Sequence, residues 1–243
     1  SGTGGIVYYG DQDSGFNVGF AGDVNNDGFD DFLIGSPLSS PFGMLQAGEA
    51  YLIFGSQTIN SSGLSFDLSS LGNGNPAGVV FRGINANDQL GYFVSAAGDV
   101  TNDGFDDFMI SAINGGVGGQ VYLVYGGAAI GVGGELKMSS ITSGDGSLGV
   151  AFNAEGEGHT FGRAMSPVGD IDGNGVADIL IGDNGADFFG SNSGSSYLLM
   201  LDARPTAAPT DGPTTALPSS NPTTAAPSPR PSPLPTPASP SPR

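Results

Sequence analysis

The chain has 243 residues, with 24 acidic against six basic side chains and no cysteine. A formal charge of −18 excludes nucleic acid as a natural partner, because phosphate contacts need Lys and Arg, and the lack of Cys excludes disulfides, thiolate metal sites and thiol nucleophiles. No apolar run is long enough to span a membrane, and 13 of the 17 prolines lie in residues 203–243, so only residues 1–202 can bury a core.

The chain opens Ser1-Gly-Thr-Gly-Gly5, without an initiator Met or a charged-then-apolar leader, and reads as a processed product or an excised piece. A first apolar run, Ile6-Val-Tyr-Tyr-Gly10, is followed by Gly15, by the acidic stretch Asp23–Asp31, by Phe32-Leu-Ile-Gly35 and by Tyr51-Leu-Ile-Phe54. The same order returns as Val79-Val-Phe-Arg-Gly83, Gly91, Asp99–Asp107, Phe108-Met-Ile-Ser111 and Tyr122-Leu-Val-Tyr125. It returns again as Val150-Ala-Phe-Asn-Ala154, Gly162, Asp170–Asp178, Ile179-Leu-Ile-Gly182 and Tyr197-Leu-Leu-Met200. The units start near Gly5, Gly78 and Gly149, a period of 73 and then 71 residues. Each holds four short runs rich in Val, Ile, Phe and Tyr, separated by Gly, Asn, Asp and Ser, which predicts strands. Four short strands per repeat is the content of one propeller blade. The long connections between units carry Leu68-Ser-Ser-Leu71 and Met138-Ser-Ser-Ile141, which predicts a packed extra segment in each. The expected architecture is all-β: a blade over 1–77, a second over 78–148, a third over 149–202, and a disordered tail over 203–243.

The acidic stretches share one register. Oxygen-bearing side chains stand at positions 1, 3, 5 and 9, Gly at 6, and a backbone carbonyl is available at 7. The expected ligands are Asp23, Asn25, Asp27, the carbonyl of Phe29 and Asp31; then Asp99, Thr101, Asp103, the carbonyl of Phe105 and Asp107; then Asp170, Asp172, Asn174, the carbonyl of Val176 and Asp178. Hard oxygen donors around a sharp Gly turn suit Ca2+, so three calcium sites are expected. A solvated turn is the rival reading of one such loop, and recurrence in one register disfavours it. An EF-hand is excluded, because position 12 is Ile34, Ile110 and Ile181 rather than an acid.

Phe161-Gly162, the Gly-Asp-Val/Ile opening of every loop and the Asp-x-Leu/Met-Ile-Gly/Ser strand after it resemble FG-GAP repeats, the blades of the integrin α-subunit propeller. The resemblance covers residues 5–202 and implies calcium held in β-hairpin loops and a role in extracellular or cell-surface adhesion or recognition. The implied partner is a protein or glycan ligand on a cell surface or matrix. Ser14-Gly15 and Leu90-Gly91 replace the Phe-Gly pair in the first two units, and the first unit lacks three residues between Gly10 and Gly15. Propellers close with roughly four to eight blades, so three imply further blades in a longer chain, an open arc, or a homo-oligomer.

No catalytic reading is favoured. The single histidine, His159, is expected in a surface loop with Glu155 and Glu157, and a Glu pair there reads as solvated. The contrasting reading is the accessory region of a secreted phospholipase or carbohydrate-active hydrolase. The recurring aromatics Tyr8, Tyr51, Phe81, Tyr122 and Phe152 are expected to pack between blades. The segments around 36–50, 85–90 and 112–120 are expected to be free to meet a partner. Asn60-Ser-Ser62 is a glycosylation pattern. The tail, Pro alternating with Ser, Thr and Ala, reads as an extended, O-glycosylated stalk.

Overall fold

The computed structural model describes residues 5–10, 12–57, 64–72, 74–187 and 193–202. The expectations for Asn60 and the Pro-rich tail lie outside these residues. The order is β1 (Ile6–Tyr9), β2 (Asn17–Gly22), β3 (Asp31–Ser36), β4 (Glu49–Ile53), β5 (Leu64–Asp67), β6 (Gly78–Arg82), β7 (Leu90–Gly98), β8 (Asp107–Ala112), β9 (Gln120–Val124), β10 (Glu135–Lys137), α1 (Met138–Ser143), β11 (Gly149–Asn153), β12 (Phe161–Gly169), β13 (Asp178–Asp183) and β14 (Ser195–Leu199). The protein is all-β and propeller-like. No helix among the described residues is long and apolar enough to cross a membrane.

Three antiparallel sheets stand in series. The first runs β2-β3-β4-β6, with β10 added in parallel beyond β6; the second runs β7-β8-β9-β11; the third runs β12-β13-β14. Inner strands β2, β7 and β12 pack successively against one another. A separate parallel pair, β1 and β5, covers part of the first sheet's outer face. The sheets are out of phase with the sequence repeats by one strand. β6 opens the second repeat yet completes the first sheet, and β11 opens the third repeat yet completes the second.

Stacking explains why the middle strands read as continuous apolar runs rather than alternating ones: with a sheet on either side, both faces are buried. β8 and β9 are buried at every residue. Leu33, Leu52 and Phe81 meet Phe108, Ile110 and Tyr122 between the first two sheets. Met109, Val121 and Leu123 meet Phe161, Ile179 and Ile181 between the second and third. On the other face of the first sheet, Ile34, Tyr51, Ile53 and Val80 pack with Leu68, Leu71, Tyr8 and Phe66. The recurring aromatics do pack between layers. Phe81 lies edge-on to Phe108 at 5.6 Å, and Tyr8 edge-on to Phe32 at 5.3 Å.

The long connections are packed segments, as their repeated sequence predicts. After β5, Leu68–Ser70 forms one 3-10 turn, capped by Asp67, whose carboxylate accepts from the Ser69 amide at 2.9 Å. After β10 the same place is taken by α1. Leu68, Leu71, Met138 and Ile141 are all buried.

Candidate functional site

The acidic loops join the first two strands of each sheet: β2 to β3, β7 to β8 and β12 to β13. Their conformation is set by the backbone. Position 6 is left-handed in all three, with φ of +90° at Gly28, +90° at Gly104 and +89° at Gly175, where a side chain would be strained. Position 4 is left-handed as well. It holds Asn26, Asn102 and Gly173, the residue types that tolerate that conformation. This position carried a signal in the sequence, but as a backbone requirement rather than a ligand.

Position 1 organises the turn. Asp23 accepts from the Asp27 and Gly28 amides at 3.0 and 2.9 Å, Asp99 from Asp103 and Gly104 at 3.1 and 2.9 Å, and Asp170 from Asn174 and Gly175 at 3.1 and 2.8 Å. Position 5 then accepts from the amide of position 7 in Asp27, Asp103 and Asn174. The Gly175 amide, first among these bonds, holds the exposed Asp170 carboxyl below its ordinary range.

Position 9 does something the sequence did not announce. Asp31, Asp107 and Asp178 are buried, and their two oxygens tie the loop's start to the end of the sheet's third strand. Asp31 accepts from Val24 and Gly55, Asp107 from Val100, Thr101 and Gly126, and Asp178 from Ile171 and Leu201, all at 2.8–3.1 Å. Burial pushes Asp31 up to about 6 and Asp107 up to about 7, against the lowering effect of those amides.

In the third loop, Asp170, Asp172 and Asp178 each bring one carboxylate oxygen within 4.8 Å of the others. Oxygens that share a calcium ion at 2.3–2.6 Å lie no more than about 5 Å apart, so this donor set fits the ion. Among the described residues it is the acidic group that converges in this way. In the first loop the Asn25 side-chain amide donates to Asp27 at 3.1 Å. The first two loops are themselves joined, the Asp23 amide donating to Asp106 Oδ2 at 2.9 Å and the Asp106 amide to the Asp23 carbonyl at 3.2 Å.

At the far end of the sheets the segments expected to be free are partly interlocked. The Asn87, Gln89 and Leu90 amides donate to the Leu45, Gln46 and Ala47 carbonyls, and the Asn114 amide to the Asp88 carbonyl. Large apolar side chains remain open there beside exposed Asn85, Asn87 and Asn114: Phe42 is 81 % exposed, Leu45 62 % and Val117 57 %. Beside Phe42, Arg82 bridges Glu49 at 2.8 Å and Glu135 at 2.6 Å, with its guanidinium 4.8 Å from the Phe42 ring. Ser39 and Tyr51 donate to the same Glu49. Gln12, Ser40, Glu49, Arg82 and Phe42 line a cavity of about 520 Å³.

His159 lies in the expected loop between β11 and β12, with its ring turned inward, Nδ1 at 2.5 Å from the buried Asp183. Asp183 also accepts from the Thr160 amide at 2.8 Å, so the pair pins the turn before β12. Glu155 and Glu157 are exposed, as expected of solvated acids.

Stacked sheets, each with a turn-forming acidic loop between its first two strands, define a propeller-type repeat protein. Residues 14–53 match the family model for the FG-GAP repeat. The chain is 30 % identical to integrin alpha-3 of Cricetulus griseus over 185 residues, which is 75 % of this chain and 14 % of that protein. It is 30 % identical to integrin alpha-4 of Xenopus laevis over 167 residues, 67 % of this chain and 14 % of that protein. It is also 26 % identical to integrin alpha-PS5 of Drosophila melanogaster over 186 residues, 74 % of this chain and 16 % of that protein. The chain is an FG-GAP repeat protein resembling the integrin α-subunit propeller, and spans about one seventh of the length of the first relatives named.

Proposed function

We propose that residues 1–202 form a calcium-stabilised recognition module that acts in adhesion outside the cell, with no catalysis of its own. The observation that carries this reading is the triple loop: positions 1, 3, 5 and 9 supply oxygen in all three, and in the third the three carboxylates stand at the separation one Ca2+ would impose. The ions are structural. Bound to residues that already link the loop's start to the sheet's third strand, each ion cancels repulsion among carboxylates and fastens one hairpin. With a dissociation constant near 10⁻⁴ M and calcium near 1 mM, as outside cells, each site adds roughly 1.4 kcal/mol. Cytosolic calcium would leave such sites empty, which supports an extracellular or cell-surface setting.

The ligand is a protein or glycan, met at the end of the sheets opposite the metal loops. There, exposed Phe42 borders the polar cavity holding Arg82 and Glu49, an aromatic next to fixed polar groups, and exposed Leu45 follows three residues on. The test is calorimetric titration of the full chain with calcium, with melting curves at either end of the titration. About three equivalents bound and a raised melting temperature support the reading, whereas no heat of binding and identical melting in chelator sink it. Phe42→Ala together with Leu45→Ser is expected to leave calcium binding and melting unchanged while abolishing attachment to cell-surface or matrix ligands.

A further inference from the structure

The three repeats act as one another's controls, and they set one cavity apart. In the first two sheets the third strand opens on a polar residue paired in register with the fourth strand, Glu49 with Arg82 and Gln120 with Asn153. A tyrosine two residues on donates to it in both, Tyr51 to Glu49 at 2.8 Å and Tyr122 to Gln120 at 2.5 Å. The connection that opens each repeat differs. Seven residues separate Gly83 from Gly91 and Ala154 from Gly162, but four separate Gly10 from Gly15. In the second repeat this connection turns inward: Ile84 packs against the core, and Asp88, 7 % exposed, accepts from the Ile84 and Asn85 amides. After burial, the Asp88 charge raises the Tyr122 hydroxyl above its ordinary range, so the two groups stand close. In the third repeat His159 pins the connection to Asp183. The first connection is three residues shorter, and there the cavity of about 520 Å³ is lined by Tyr51, Glu49 and Arg82.

A second difference borders the same cavity. Twelve residues join β3 to β4, where seven join β8 to β9. The added length carries Phe42, whose backbone sits at φ +53°, a left-handed conformation that aromatic residues rarely adopt. The surrounding turn holds it there, the Gly43 amide donating to the Ser40 carbonyl at 3.1 Å and the Met44 amide to the Pro41 carbonyl at 2.9 Å. The chain thus keeps a strained backbone at the cavity's edge and leaves the ring on it open to solvent.

Charge and hydrogen bonding narrow the ligand. Arg82 lies between Glu49 and Glu135, a net negative group in a chain of −18, which disfavours an anion. A cation is disfavoured too, because both carboxylates are engaged: Glu49 accepts from Ser39, Tyr51 and Arg82, and Glu135 pairs with Arg82. The groups left to a ligand mix donors with acceptors. They are Arg82 Nη2, which has no acceptor among the described residues, the Gln12 side-chain amide and the hydroxyls of Ser40 and Ser69. We infer that this cavity binds a neutral saccharide unit of a glycan, whose hydroxyls exchange hydrogen bonds with that set while its C–H face lies on Phe42. The inference rests on the recognition reading above and selects the glycan within it. The volume is that of a small-ligand site.

The test is saturation-transfer NMR on the full chain in calcium, with cellotetraose, mannotetraose and xylotetraose as neutral probes and tetragalacturonate as the anionic one, each in the millimolar range. Transfer to at least one neutral probe is expected, with none to tetragalacturonate. Phe42→Ala is expected to weaken that binding about tenfold, and Ser69→Leu, which sets a branched apolar side chain at the exposed cavity wall, to abolish it, both with the melting temperature retained. No transfer to any neutral probe, transfer to tetragalacturonate as strong as to the neutral probes, or neutral transfer that both variants leave unchanged overturns the inference. If attachment to cell-surface or matrix proteins persists in that event, the ligand is a protein and the recognition reading stands. If attachment is absent as well, both fall.

Discussion

At the scale of single residues, the position 9 aspartates combine two tasks that ion removal separates. Asp107 holds three backbone amides, and of these the Val100 amide also reaches the Gly98 carbonyl at 2.9 Å. Asp107→Ala is therefore expected to lower stability by roughly 3 kcal/mol even in chelator, measured by urea unfolding, because the stranded amides remain. A loss seen only in calcium would show that the residue serves the ion alone. The raised Asp31 and Asp107 also set a pH dependence for the calcium-free protein. Their folded values exceed the unfolded ones, so the folded state holds more protons between about 4 and 7 and stability falls as pH rises through that window. In chelator the melting temperature is expected to be higher at pH 4.5 than at pH 8, while calcium, which requires the ionised carboxylates, reverses the trend. The tyrosines make a matched pair. Tyr122 donates to Gln120 at 2.5 Å, whereas the buried Tyr197 hydroxyl has no acceptor among the described residues, Ser195 standing where Gln120 would be. Burial, with Asp183 and Glu155 nearby, pushes Tyr197 up to about 12. Tyr122→Phe is expected to cost roughly 1 kcal/mol and Tyr197→Phe nothing, or a slight gain, as read from their urea midpoints.

At the scale of elements, the strands and the loops were legible because each obeys a local rule. Val79-Val-Phe could only be a strand, and Asp-x-Asn-Asn-Asp-Gly could only be a turn with oxygens facing inward. The strand partners were not legible. β6 is closer in sequence to β7, with which it shares a repeat, than to β4, with which it pairs, and nothing in its own residues names its neighbour. The same limit applied to the site. Asp106 reads as one more acid in the loop, and only the packing of β7 against β2 shows that it reaches the Asp23 amide. The loop of His159 was legible but its partner was not, because Asp183 lies 24 residues away on β13. The offset also predicts the cost of a wrong cut. Phe81 is fully buried against Phe108, so Phe81→Ala is expected to cost about 3–5 kcal/mol. That penalty falls on packing between the first and second sheets, although the residue sits in the second repeat.

At the scale of the whole molecule, charge and core pull in opposite directions. The chain carries −18 overall, and the acidic loops sit together at one end of sheets whose interiors are almost wholly apolar. Screening should then substitute in part for bound cations. In chelator the melting temperature is expected to climb as sodium chloride is raised toward physiological strength and beyond, and in calcium to respond little. Equal salt responses in the two conditions would show that carboxylate repulsion does not govern stability. The one-strand offset between repeats and sheets bears on how the chain folds as it is synthesised. The first sheet lacks β6 until residue 82 has been made, and its parallel edge strand β10 until residue 137. Each sheet thus waits, one edge unpaired, for the opening strand of the repeat behind it. The order of translation is built into the order of assembly, and a ribosome that pauses within a repeat holds an incomplete sheet open to the wrong neighbour.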